Sequence, residues 1–269
     1  MTRLSFSRAW DETRAILKRD GRLIWPLGLT TLVLPQLLIG TIVGPAGMTE
    51  MSQDTQRASS LGFLLALLLV AWARFGGLTA IAQLTLRSDE RVADALKSGL
   101  KRAPAVLGAI MLVLLPLVLM LAPALMSAGQ QQPPSSGSAL IFFLGLVLGL
   151  VVLSRLQFAI AIAAAEGGGP IRLLLRSWQL TKGNALRLLG FVLLFIIVLL
   201  IVIFALSAVL GSLVLLAFGQ PGPMSVAALL LSALGLTGEM LVLVPYSVML
   251  ARLYAQAAQG GSSSVPHAP

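Results

Sequence analysis

The sequence predicts an all-α polytopic membrane protein with six transmembrane helices. Three observations predict it. Of 269 residues, 57% are hydrophobic and 11% charged, against roughly 25% charged in soluble domains. Six windows are long and apolar enough to cross a bilayer, near 24–43, 61–84, 104–126, 139–163, 186–210 and 226–250. The cations are confined to alternate connections. Arg3, Arg8, Arg14, Lys18, Arg19 and Arg22 precede the first span, and Arg87, Arg91, Lys97, Lys101 and Arg102 separate the second from the third. Arg172, Arg176, Lys182 and Arg187 surround the junction of the fourth and fifth, while the opposite side has Arg57 alone. By the positive-inside rule both termini are cytoplasmic. This distribution accounts for the net charge of +9, so topology and not nucleic acid explains the basic excess. Residues 1–256 then form one membrane domain and 257–269 a disordered tail.

Residues 4–20 read as an amphipathic helix, with Phe6, Trp10, Thr13 and Leu17 at helical spacing. Gly21 is expected to break it. No cleavable signal peptide is evident, because residues 1–23 are polar and charged. Trp25 and Pro26 open the first span, and Pro35 bends it. The loop at 44–60, which contains Gly, Pro, Ser, Thr and Gln, is expected to face outside. Span two carries Arg74 near its middle and leads into 89–102, where Val92, Leu96, Leu100 and Ala103 form one face and the charges the other. Pro104 suits the first turn of span three, where a missing N–H costs little. Pro116 and Pro123 fall further along that span, and 127–138 reads as a flexible external loop.

Span four contains Gly145-x-x-x-Gly149, a pattern that lets backbones approach closely but also arises by chance in a Gly- and Leu-rich chain. Arg155 and Gln157 follow. Glu166 and the glycines at 167–169 form a turn, and Pro170 starts a third amphipathic stretch. There Ile171, Leu174, Leu175, Trp178 and Thr181 share one side, and Arg172, Arg176, Gln179 and Lys182 lie mostly on the other. Gly183 can end this helix with positive φ and Asn184 can cap the next. The apolar run then continues to about Phe218, longer than the ~20 residues a bilayer needs. Residues 219–223 make a short external turn. Span six contains Glu239 and Pro245 and ends near Tyr246, Arg252 and Tyr254. The chain thus reads as three units, each a surface helix followed by two spans; a triplicated unit and ordinary six-span periodicity both explain the spacing.

Chemistry is sparse. There is no cysteine, which excludes disulfides and thiolate sites. His267 is the single histidine and lies in the expected tail. No His, Asp or Glu group has metal-ligand spacing, and the serine runs lack a base partner. No catalytic residue, metal or cofactor is expected. The informative residues are the ionisable ones inside spans, Arg74, Arg155 and Glu239, since charge at membrane depth is costly and usually faces a partner or a wet cavity. Residue count puts Arg74 and Glu239 at similar depth, as an interhelical ion pair of spans two and six. That pair either fixes packing or belongs to a ligand or ion site. Arg155 lies nearer the cytoplasmic side and can snorkel or bind an anionic headgroup.

At Arg176-Ser177-Trp178-Gln179-Leu180-Thr181-Lys182-Gly183-Asn184, with the following span and Pro245-Tyr246, the chain resembles the glycerophosphoryl diester phosphodiesterase membrane-domain family. The likeness is sharpest over about 166–254. It implies a bacterial, multi-span, stand-alone membrane domain, and it does not carry phosphodiesterase activity, because no catalytic domain follows the last span. The Ala, Gly, Leu and Arg content, with few lysines, fits a GC-rich bacterium.

The expected function is a non-enzymatic protein of the bacterial inner membrane that engages anionic phospholipids or scaffolds a partner in the membrane. Arg8, Arg14, Lys18, Arg19, Lys97, Lys101, Arg102, Arg172, Arg176 and Lys182 would meet headgroups, with Trp10 and Trp178 as interface anchors. The alternative is a small transporter or lipid translocator lined by Arg74, Arg155 and Glu239. A third is an anchor for a separately encoded enzyme.

Overall fold

A computed structural model describes residues 4–43, 61–87, 89–129, 136–220, 222 and 225–262. These residues are helical and contain no strand. Six helices are long and apolar enough to cross a membrane. The first is α1 (Phe6–Gly28), one wide turn at Leu29–Val33, and α2 (Leu34–Val43). The second is α3 (Leu61–Leu86) and the third α4 (Val92–Gly129). The fourth is split into α5 (Ser136–Leu156) and α6 (Ala159–Ala165). A separate helix, α7 (Pro170–Thr181), precedes the fifth, which runs as α8 (Ala185–Leu206), a second wide turn at Ser207–Gly211, and α9 (Ser212–Phe218). The sixth is α10 (Val226–Ser262).

Two expected breaks do not exist. Gly21 lies inside α1, buried and packed on Trp25, so the first amphipathic stretch and the first span are one rod. Pro104 does not start a helix but sits a full three turns inside α4. A proline there deprives the carbonyl four residues earlier of its N–H donor. That carbonyl belongs to Leu100, and it accepts instead from the Trp72 indole of α3 at 2.9 Å. Tertiary contact removes the local reason for the helix to end.

Proline has a different outcome in the first span. The wide turn Leu29–Val33 ends two residues before Pro35. Pro35 offers no N–H to Thr31, and the loosened turn absorbs that loss. The Thr30 hydroxyl donates to Pro26 and Leu27 carbonyls, and Thr31 donates to Leu27 at 2.7 Å. Span four is broken at Gln157 and Phe158, which sequence periodicity did not anticipate. The expected features at Pro170, Gly183 and Asn184 are present in part. Pro170 is in the first turn of α7, Gly183 takes φ 87°, and Asn184 stands at the N-cap of α8 without a side-chain bond. The loop at 44–60 and residues 130–135 of the loop expected at 127–138 lie outside the described residues, while 127–129 and 136–138 are helical. Residues 263–269 also lie outside them, but α10 stays helical through Ser262, six residues past the expected start of the tail.

α10 is the axis of the bundle and packs on α1, α2, α3, α6, α7, α8 and α9. Buried residues concentrate at one end. Phe158, Ile162, Leu173, Leu188 and Leu253 form one core, and Ile24, Ile81, Val244 and Val248 another. Toward the other end the large apolar side chains, such as Leu119, Phe143, Phe204 and Leu216, face outward, as lipid-facing residues do.

Small residues set the closest seam, between α3 and α4. A Cβ on Gly99 would stand 2.3 Å from the Gly76 carbonyl oxygen, and one on Gly77 would meet Thr31 of the first wide turn. The Gly145-x-x-x-Gly149 pattern faces α4, where Leu121 and Leu117 fill the space of the missing side chains.

The Trp72–Leu100 bond yields a test. Trp72→Phe leaves a carbonyl without a donor and should cost about 1–3 kcal/mol in thermal or denaturant unfolding. Adding Pro104→Ala restores the N–H at position 104, so the double variant should recover most of that loss. Equal stability of the single variant and wild type would refute the account.

Candidate functional site

Two polar assemblies stand out, one deep in the bundle and one at its cationic end. The deep one joins the first, second and sixth spans. Arg74 Nη2 donates to Glu239 Oε1, and Arg74 Nη1 donates to Gln36 Oε1 at 3.3 Å. Arg74 is 12 residues before the end of α3 and Glu239 is 13 before Arg252. At ~1.5 Å per residue both lie roughly 18–20 Å below the cationic end. The side chains keep 22% and 26% of their exposure, so the pair is shielded but not sealed. The charges neutralise each other where hydrocarbon would otherwise surround them.

Arg155 does not join this pair. Its guanidinium turns to α7, 5.0 Å from the Trp178 ring centroid and 3.4 Å from Thr181 Oγ1. Its own carbonyl, freed by the break in span four, accepts from the Ser177 hydroxyl. Gln157, inside the break, donates to the Leu188 carbonyl at 3.3 Å. The docked face of α7 is therefore Leu173, Ser177 and Thr181, all fully buried. Of the side read as apolar from the sequence, Ile171, Leu175 and Trp178 are exposed, whereas Leu174 packs partly on the core and Thr181 is buried. Small hydroxyl residues let α7 sit on the broken helix, where Ser177 donates to the Arg155 carbonyl and Thr181 accepts from the Arg155 guanidinium. Trp10 is likewise exposed, and Ala9 and Thr13 take the inward face of α1.

The cationic end is tied together by side chains from distant parts of the chain. Glu12 of α1 bridges Arg252 of α10 at 2.6 Å and Arg8 at 2.9 Å. Glu166 accepts from Arg176 of α7 at 3.1 Å and from the Tyr254 hydroxyl at 2.9 Å. Gln256 exchanges two bonds with the Ser5 backbone. Arg102 of α4 donates to the Ala163 and Ala164 carbonyls at 2.8 and 2.6 Å. It thereby caps α6 at its C-terminal, partially negative end.

These bonds divide the ten cations expected at headgroups. Arg8, Arg102 and Arg176 are engaged with protein across or along helices, and Arg19 pairs with its neighbour Asp20 at 2.8 Å. Arg14, Lys18, Lys97, Lys101, Arg172 and Lys182 are exposed and have no partner among the described residues. Sequence reading missed Gln36, Glu12, Glu166 and Arg252 as binding partners. Gln36 carried a signal as an amide inside an apolar span, and Glu12 as the residue four after Arg8 on a helix.

A family match covers residues 5–257 and is described as a domain of unknown function, DUF7847. The chain belongs to this family. No curated protein and no solved structure matches the chain.

The ion pair is tested by a double-mutant cycle in a lipid environment with Arg74→Ala and Glu239→Ala. Each single variant strands a charge at membrane depth, so the cycle should give a coupling of about 1–3 kcal/mol. Strictly additive losses would reject direct coupling.

Proposed function

We propose that the chain is a non-enzymatic integral membrane protein whose cationic end holds anionic phospholipid headgroups. The supporting observation is the set of six exposed cations without partners, Arg14, Lys18, Lys97, Lys101, Arg172 and Lys182, on helices that bonds from Glu12, Glu166 and Arg102 gather at one end. A cation close to an anionic surface contributes roughly 1 kcal/mol. Exposed Trp10 and Trp178 flank the same end, and tryptophan suits headgroup depth. In this reading that end faces the cytoplasm of a bacterium and the bilayer is its inner membrane. The rim also suits an acidic protein partner scaffolded in the membrane.

A second reading, a small transporter or lipid translocator, has its own observation. Gln36, Arg74 and Glu239 form a polar group deep in the bundle, and the fourth span is interrupted. Interrupted helices recur in transporters. Transbilayer movement of a fluorescent phosphatidylglycerol analogue in proteoliposomes, lost in Glu239→Gln, would favour it.

The leading reading is tested in phosphatidylcholine vesicles containing a minority of phosphatidylglycerol. Spin-labelled phosphatidylglycerol should be enriched next to the protein. Replacing the six free cations with glutamine should lower that selectivity about tenfold or more, given roughly 1 kcal/mol per cation. Unchanged selectivity in a folded variant would sink the proposal.

A further inference from the structure

A groove of about 730 Å³ runs along the outside of the bundle between α1, α8 and α10. Its lining is apolar along almost its whole length, including Phe6, Leu194, Phe195, Val202 and Leu241. One cation lines it, Arg187, one turn before Gly190 on α8 and at the cationic end of the bundle. Arg187 is exposed and has no partner among the described residues. Trp10 stands beside that end. Leu194, Val198 and Leu241 are half-exposed, so the groove opens sideways to hydrocarbon and not into the bundle.

Three features select an occupant. From Arg187 to Val202 the groove follows 15 residues of α8, about 22 Å at ~1.5 Å per residue. One leaflet of a ~30 Å hydrocarbon core is about 15 Å deep, so the groove takes an extended acyl chain from headgroup level to the bilayer centre. Charge is placed only at the headgroup end, where it complements phosphate. Gly190 keeps the floor open at that end. A Cβ there would meet nothing within 4 Å, so this glycine serves no helix seam, unlike Gly76, Gly77 and Gly99. Behind the wall Tyr246 stacks on Phe191, and Phe195 packs tilted against both, with centroids 4.7–5.7 Å apart, which holds its shape.

We propose that this groove binds a single anionic glycerophospholipid, with one acyl chain along α8 and the phosphate at Arg187. The proposal deepens the headgroup reading above and rests on it for the choice of an anionic lipid. It differs in kind, because the rim would collect a loose shell of lipids and the groove would retain one.

Native mass spectrometry of the full chain released from nanodiscs of mixed phosphatidylglycerol and phosphatidylcholine tests it. Wild type should carry one bound lipid, mostly phosphatidylglycerol. Gly190→Trp fills open space without touching a helix seam and should lose that lipid while keeping the wild-type melting temperature. Val198→Trp, farther along, should do the same, which guards against a folding defect in either variant. Arg187→Gln should keep a bound lipid but lower its preference for phosphatidylglycerol by about fivefold, the factor for roughly 1 kcal/mol from one cation. Retention of the lipid in both tryptophan variants, or a second protein chain seated there in place of lipid, would overturn the proposal. Loss of vesicle selectivity in the six-cation variant with the single lipid retained separates the two sites. Wild type holding a lipid without any phosphatidylglycerol enrichment would overturn the anionic specificity assigned to the groove, whereas the vesicle selectivity reports on the rim alone.

Discussion

Inside a bilayer a backbone carbonyl without a donor costs several kcal/mol, since no water can replace the lost bond. This requirement governs how the bundle is assembled. At several interruptions of the helical ladder a side chain supplies a donor. Trp72 serves the Leu100 carbonyl left open by Pro104. Ser177 serves the Arg155 carbonyl at the break in span four. Thr30 and Thr31 serve carbonyls ahead of the wide turn that accommodates Pro35. Arg102 serves two carbonyls at the end of α6. Except at the threonines, the donor comes from another helix, so each interruption also fixes a tertiary contact.

Such bonds explain why burial concentrates at one end. The breaks and their donors lie mostly near the cationic end, and the ion pairs of Glu12 and Glu166 lock the termini of α1, α7 and α10 across it. Glycine and alanine seams bring α3 and α4 into backbone contact there. Among the described residues, side-chain packing holds the helices toward the other end, and large apolar residues turn outward. The Arg74–Glu239 pair stands between these regions and ties the second span to the sixth.

The same organisation divides the charges by role. Cations with a carboxylate or a helix end nearby are consumed in holding the fold. Those left over lie on exposed faces of α1, α4 and α7, and Arg187 lies alone at the mouth of an apolar groove. A rim for headgroups and a groove for one chain are thus two consequences of where partners were not provided.

The sequence by itself determined the helical class, the six spans and the charge asymmetry between their connections, because hydropathy and cation placement are one-dimensional properties that a bilayer reads directly. Depth along the spans also brought Arg74 and Glu239 to one level, since rise per residue is constant in a helix. Only the tertiary structure decided where helices stop. Gly21 and Pro104 look like breaks and are not, while Gln157 and Phe158 look continuous and are broken. Local propensity weighs a residue against its own helix, whereas the Trp72 indole and the Ser177 hydroxyl arrive from elsewhere. The facing of α7 was hidden for the same reason. Its inward face mixes Leu173 with Ser177 and Thr181 while Ile171, Leu175 and Trp178 point outward, because in a membrane a hydrogen bond counts at a helix contact as well as apolar surface.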